Sequence, residues 1–191
     1  MTRRIACVLW LAAACGGKKA EPAKPIDVAA INALVPADLK DKLVFEQRAI
    51  VLKRHRHDTT YTVAAPKTWK QESDMFGNLK ADDKGGFFSG FSVGSNCDGE
   101  CKEKDWEKVA DKVNFAPHAK DKILKDDKAP GRRTMIAESD TGTKTTTVVT
   151  AWWTEGEKSY HSCSATLDES IKAAAPAFEK ACAIVNIDGD D

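Results

Sequence analysis

The sequence predicts an α+β domain, a twisted antiparallel β-sheet with helices packed on its faces. Two patterns and their order point there. Short runs rich in Val, Thr, Ile and aromatic residues recur between polar turns, as strands joined in hairpins do. Ile171, Ala174, Ala175, Phe178, Ala181, Cys182 and Val185 repeat at three- and four-residue steps, which makes one apolar helical stripe. The order is mostly hairpins with two helices inserted, one before the second hairpin set and one closing the chain. No internal repeat is present.

Residues 26–34 predict a short amphipathic helix, and Pro36 suits the first position of a further helical turn through Leu39. Between residues 43 and 54 the apolar side chains crowd around Ala49–Leu52, as in a strand buried on both faces. Asp58-Thr59 makes a turn, and residues 61–65 a second strand stopped by Pro66, with Trp69 close behind. Residues 75–81 and 87–93 predict two more strands, split by Gly85-Gly86. Trp106, Val109, Ala110 and Val113 sit at helical spacing, opposite a charged face. Residues 119–128, 131–139, 144–154 and 159–166 predict four further strands. Thr166 and Glu169 match a capping box for the last helix, which Pro176 breaks or restarts. Asp188-Gly189-Asp190-Asp191 forms a short acidic tail.

The chain has 191 residues, 42% hydrophobic and 30% charged, with 29 basic and 29 acidic groups. That is too apolar for a disordered chain. Arg3 and Arg4 precede an uncharged apolar run over residues 5–13. The run is short of the ~20 apolar residues that span a bilayer, and it fits the hydrophobic region of a signal peptide. Cleavage before Cys15 leaves 191 − 14 = 177 residues with 27 basic and 29 acidic groups, a net charge of −2. A nucleic-acid partner, which calls for a clustered basic surface, is therefore not expected.

Leu11-Ala12-Ala13-Ala14-Cys15-Gly16-Gly17 resembles the lipobox of bacterial lipoproteins, in which the Cys is acylated and becomes the new N-terminus. The resemblance implies lipidation (palmitate) of Cys15 and membrane lipid as a partner. It departs from the family in having Ala12 where Leu is usual. Ordinary cleavage after Ala14 is the alternative, and it would release a periplasmic protein. With Gly16 rather than Asp after the Cys, the resemblance implies the outer membrane. The expected organisation is a signal peptide at 1–14, a lipidated Cys and flexible tether at 15–25, and one globular domain at 26–191.

Cys97, Cys101, Cys163 and Cys182 remain for disulfides, as an exported chain would use them. Four cysteines allow three pairings. Cys182 lies on the apolar stripe and Cys163 in the strand the last helix would cover, so the preferred pair is Cys163 with Cys182. The tight Cys97-Asp-Gly-Glu-Cys101 loop would hold the other.

Candidate chemistry is sparse. His55 and His57 point the same way on a strand, but flanking Arg54 and Arg56 disfavour a cation. No metal or cofactor is expected; a small-ligand or metal site at the His55/His57 region is the rival reading. Ser162, Ser164 and Asp168 lie near His161, yet neighbours on a strand face opposite ways, which works against a triad. Trp152 and Trp153 also face apart. Either helices cover both faces, or one Trp is an exposed binding anchor. No Gly-x-Ser-x-Gly, HExxH, Walker or EF-hand pattern occurs, so no enzyme is expected.

Tyr61-Thr-Val-Ala-Ala-Pro66-Lys-Thr-Trp69 resembles the strand-Pro-x-x-Trp opening of Mog1/PsbP-like domains. Residues 150–153, 160–167 and 176–182 resemble their closing hairpin and helix. The resemblance covers roughly residues 40–187 and implies an α/β/α sandwich, generally non-catalytic, acting as an accessory to a larger complex or as an envelope lipoprotein. It carries no functional residue, since a shared fold does not confer a function. The expectation is a non-catalytic, lipid-anchored module of the bacterial cell envelope that binds or supports another envelope component.

Overall fold

The computed structural model describes residues 25–53, 58–73, 75, 77–81, 89–96, 121–139, 143–153 and 160–188. The leader and Cys15, His55 and His57, the Cys97–Cys101 loop and the predicted helix around Trp106 lie outside them.

Asp27 caps helix α1 (Val28–Asn32), its side chain accepting from the Ala30 N–H at 3.0 Å, and Ile31 turns into the core. Pro36 precedes a single 3-10 turn over Ala37–Leu39. Asn32 then clamps the chain ahead. Its amide donates to the Phe45 carbonyl at 3.0 Å and accepts from the Phe45 N–H at 2.8 Å.

Strand β1 (Phe45–Leu52) pairs antiparallel with β2 (Thr59–Pro66), and β10 (Asn186–Asp188) pairs with the other side of β2. The sheet predicted as one is therefore two, the smaller with strand order β1-β2-β10. Burial of β1 on both faces is corrected: Gln47, Ala49 and Val51 are exposed and Ile50 and Leu52 buried. The alternation shows that one face of β1 meets the core and the other is left uncovered. The predicted acidic tail is also corrected at its start, because Asp188 lies in β10 opposite Thr60.

The larger sheet has seven strands: β3 (Lys70–Gln71), β4 (Gly77–Lys80), β5 (Gly90–Asn96), β6 (Lys122–Ala129), β7 (Arg132–Ser139), β8 (Thr145–Trp153) and β9 (Tyr160–Asp168). Their spatial order is β3-β4-β5-β9-β8-β7-β6, antiparallel throughout. Two glycines are dictated locally. Gly131 turns β6 into β7 at φ 71°, a conformation side chains resist. At Gly77 an added Cβ would fall 2.0 Å from the Val93 carbonyl oxygen.

A 3-10 turn (Lys172–Ala174) leads into helix α2 (Ala175–Ala183), with Pro176 in its first turn, where a missing N–H costs nothing. The predicted capping box is corrected: Thr166 belongs to β9, and α2 has no side-chain cap. Asp168 organises the turn instead, accepting from the Ser170 N–H at 2.7 Å. The stripe from Ile171 to Cys182 is buried as its period requires. Phe178 meets Phe45 edge-on at 5.0 Å and stacks on Trp69 at 5.4 Å. A disulfide joins Cys163 of β9 to Cys182 of α2, with Cα atoms 5.3 Å apart. The Arg132 guanidinium donates to the Ala183 carbonyl at 2.8 Å, and Lys125 pairs with Glu179 at 2.7 Å.

Two consequences are measurable. Cys163→Ser with Cys182→Ser opens a closure spanning 19 residues and should lower the unfolding free energy by about 3 kcal/mol, read by denaturant titration. Asn32→Ala strands both main-chain groups of a buried residue and should cost roughly 1–3 kcal/mol, read the same way.

Candidate functional site

Trp152 and Trp153 are the aromatic pair the sequence singles out, and alternation along β8 sends them to opposite faces. Trp152 stands opposite His161, and Trp153 opposite Tyr160. Their exposures are 8% and 9%, so the exposed-anchor reading is corrected: neither offers a binding surface. The reason is that the sheet is buried on both sides here. On the α2 side Trp152 joins Val148, Ile136, Cys163 and Ala165 in the main core. On the other side Trp153 packs edge-on to Tyr160 at 5.7 Å, and Met135, Val149 and Ala151 are buried on the same face.

The structure brings together a group that the sequence did not. His161 is buried, with its ring stacked against Trp152 at 5.9 Å, and its Nδ1 lies 3.1 Å from the Tyr61 hydroxyl. The Arg132 guanidinium lies 5.8 Å over the other end of this stack, against the Trp152 ring. Tyr61 belongs to the small sheet and His161 to the large one, so a polar contact spans the core between them. Burying either group without a partner would cost free energy, and together they satisfy each other. One signal for it is visible in β9, where His161 shares its alternation with Cys163, Ala165 and Leu167, all buried. A polar residue in an apolar series predicts an internal partner, but not which one.

The same alternation settles the Ser–His–Asp arrangement. Ser162 and Ser164 stand half-buried on the opposite face from His161, paired with Gly94 and Ser92. Asp168 is engaged by the Ser89 hydroxyl at 2.7 Å and by Ser170. Burial pushes its carboxyl up, but the bonds from Ser170 and Ser89 outweigh this and hold it below the usual 3.8. The three residue types are close in sequence and do not converge. Among the described residues no group of three His, Cys, Asp or Glu is placed to hold a metal, and no helix is long and apolar enough to cross a membrane.

Among the described residues Asp126 and Arg133 form a two-pronged ion pair at 2.8 and 2.9 Å between β6 and β7. The guanidinium bonds of Arg133 hold the Asp126 carboxyl below its usual value, against a smaller opposing push from burial. Such a fork is geometrically selective and stronger than a neutral bond.

No protein-family model matches the chain, and no curated protein does. Among solved structures it is similar to the Ran-binding protein Mog1p of Saccharomyces cerevisiae, at 11% identity, TM-score 0.46, over 74% of this chain and 95% of that one. A point mutant of Mog1 is similar at 10% identity, TM-score 0.46, with the same coverage.

Tyr61→Phe should cost roughly 1–1.5 kcal/mol by removing one hydrogen bond of the buried imidazole, and the cost of Tyr61→Phe should be smaller when His161 is already replaced by Phe, since the two share that bond. A double-mutant cycle by denaturant titration reads both. Asp126 is depressed in the folded state, so its stabilisation is present above the unfolded value of 3.8 and fades as pH falls through the lower folded value. Acid titration of Asp126→Asn should show a shallower loss of stability below about pH 4 than the parent chain.

Proposed function

We propose that the chain is a lipid-anchored protein of the bacterial cell envelope, whose α+β domain binds or supports another envelope component and catalyses nothing. The observation that carries this reading is the buried disulfide between Cys163 and Cys182 together with the leader that ends at Cys15. Internal disulfides persist in oxidising compartments. A basic, short apolar leader running into Ala-Cys-Gly supplies both export and a thiol at the mature start. Two or more acyl chains on that thiol hold a protein at a membrane lastingly, at about 0.8 kcal/mol per buried methylene, where one chain holds only marginally.

The geometry of the described residues supports a non-catalytic reading. His161 is committed to the core, and Ser162 and Ser164 face away from it. Asp168 is fixed as the acceptor of a turn. A binding role then falls to the exposed surface and the loops between strands.

Mass spectrometry of the mature protein should find an acylated Cys15 as its first residue, and thiol titration of natively prepared material should find Cys163 and Cys182 oxidised. An unmodified N-terminus would remove the anchor. Crosslinking in intact cells should capture a protein partner in the envelope; capture of none, with a co-purifying small molecule or metal lost in His55→Ala/His57→Ala, would replace the accessory reading with a ligand-binding one.

A further inference from the structure

The end of the domain that follows the tether exposes two apolar side chains, Leu34 and Val44. The Ile26 N–H donates to the Gln47 side chain at 3.0 Å, which fixes the start of the domain beside β1. The Asn32 clamp on Phe45 joins the end of α1 to the start of β1, so Leu34 and Val44, just beyond either side of the clamp, share this end of the molecule. They are 44% and 49% exposed. The Lys67 N–H donates to the Val44 carbonyl at 2.8 Å and brings a third segment alongside. Lys40, Lys42 and Lys67 on these segments are exposed, as are Asp38 and Asp41.

We infer that this end rests on the bilayer, with Leu34 and Val44 entering the headgroup boundary and Lys40, Lys42 and Lys67 reaching the lipid phosphates. The inference rests on the acylation of Cys15 proposed above. Chain length supports it. Residues 16–25 span at most about 35 Å fully extended, so an anchored domain stays near the membrane and meets it most readily where the tether joins. Apolar insertion and cations near anionic lipid each add to what the acyl chains supply.

The rival surface lies elsewhere. Ile123 and Leu124 are also exposed, but they sit on β6, five strand positions from β4, against which β1 lies. At strand spacing that is about 24 Å away. A bulge between Ile123 and Lys125 and the charges of β6 fit an edge that resists pairing.

The test uses the full-length, processed protein in vesicles of phosphatidylethanolamine and phosphatidylglycerol carrying a diazirine-bearing phospholipid. Peptide mapping after photolysis should place adducts on the segments around Leu34 and Val44. Leu34→Asp/Val44→Asp should cut that labelling by roughly tenfold, the factor set by transferring about one aliphatic side chain. Labelling equal at or concentrated on Ile123–Leu124, or labelling unchanged in the double variant, overturns the inference while leaving the anchor intact. The same spectra read the N-terminus; an unmodified Cys15 overturns the anchor and this surface together.

Discussion

Phe178 is fully buried between Phe45 and Trp69, and four residues further along the same helix Cys182 is tied to Cys163. That one helical face has to satisfy both sheets at once. Phe45 comes from β1 of the small sheet, Trp69 from the connection that leaves it, and Cys163 from the middle of the large sheet. A helix of nine residues is too short to be stable in water by itself. Its order comes from the surfaces it covers, and those surfaces are held at a fixed separation by its side chains.

Polar contacts then make this packing specific. Apolar burial is non-directional and tolerates sliding, whereas the Tyr61–His161 contact, the Asn32 clamp on Phe45 and the Arg132 bond to the Ala183 carbonyl each need one register. The Asp126–Arg133 fork does the same at the β6–β7 edge, where little core is left to fix the pairing. These contacts sit at the joints between elements, and their chemistry is spent on the fold.

That distribution bears on function. Among the described residues, His161 is turned inward and Asp168 holds a turn. The described residues present outward strand ends, lysines and several apolar side chains, Leu34, Val44, Ile123 and Leu124 among them.

The sequence by itself determined the elements whose pattern is local. The stripe from Ile171 to Cys182, the alternation in β9 and the Thr- and Val-rich β8 follow from periodicity and backbone sterics within a few residues. The Cys163–Cys182 pair could be preferred because both partners lie on faces the pattern already orients. Only the tertiary structure decided what depends on neighbours far along the chain. That there are two sheets, that β1 lies at an edge, and that β10 adds to β2 reflect pairings which no short window contains. The same holds for the fate of Trp152 and Trp153: alternation separated them, but burial of both faces is a property of the assembled sheet. His161 found Tyr61 a hundred residues away, because a buried hydrogen bond is chosen by proximity in space, for which sequence distance sets no rule.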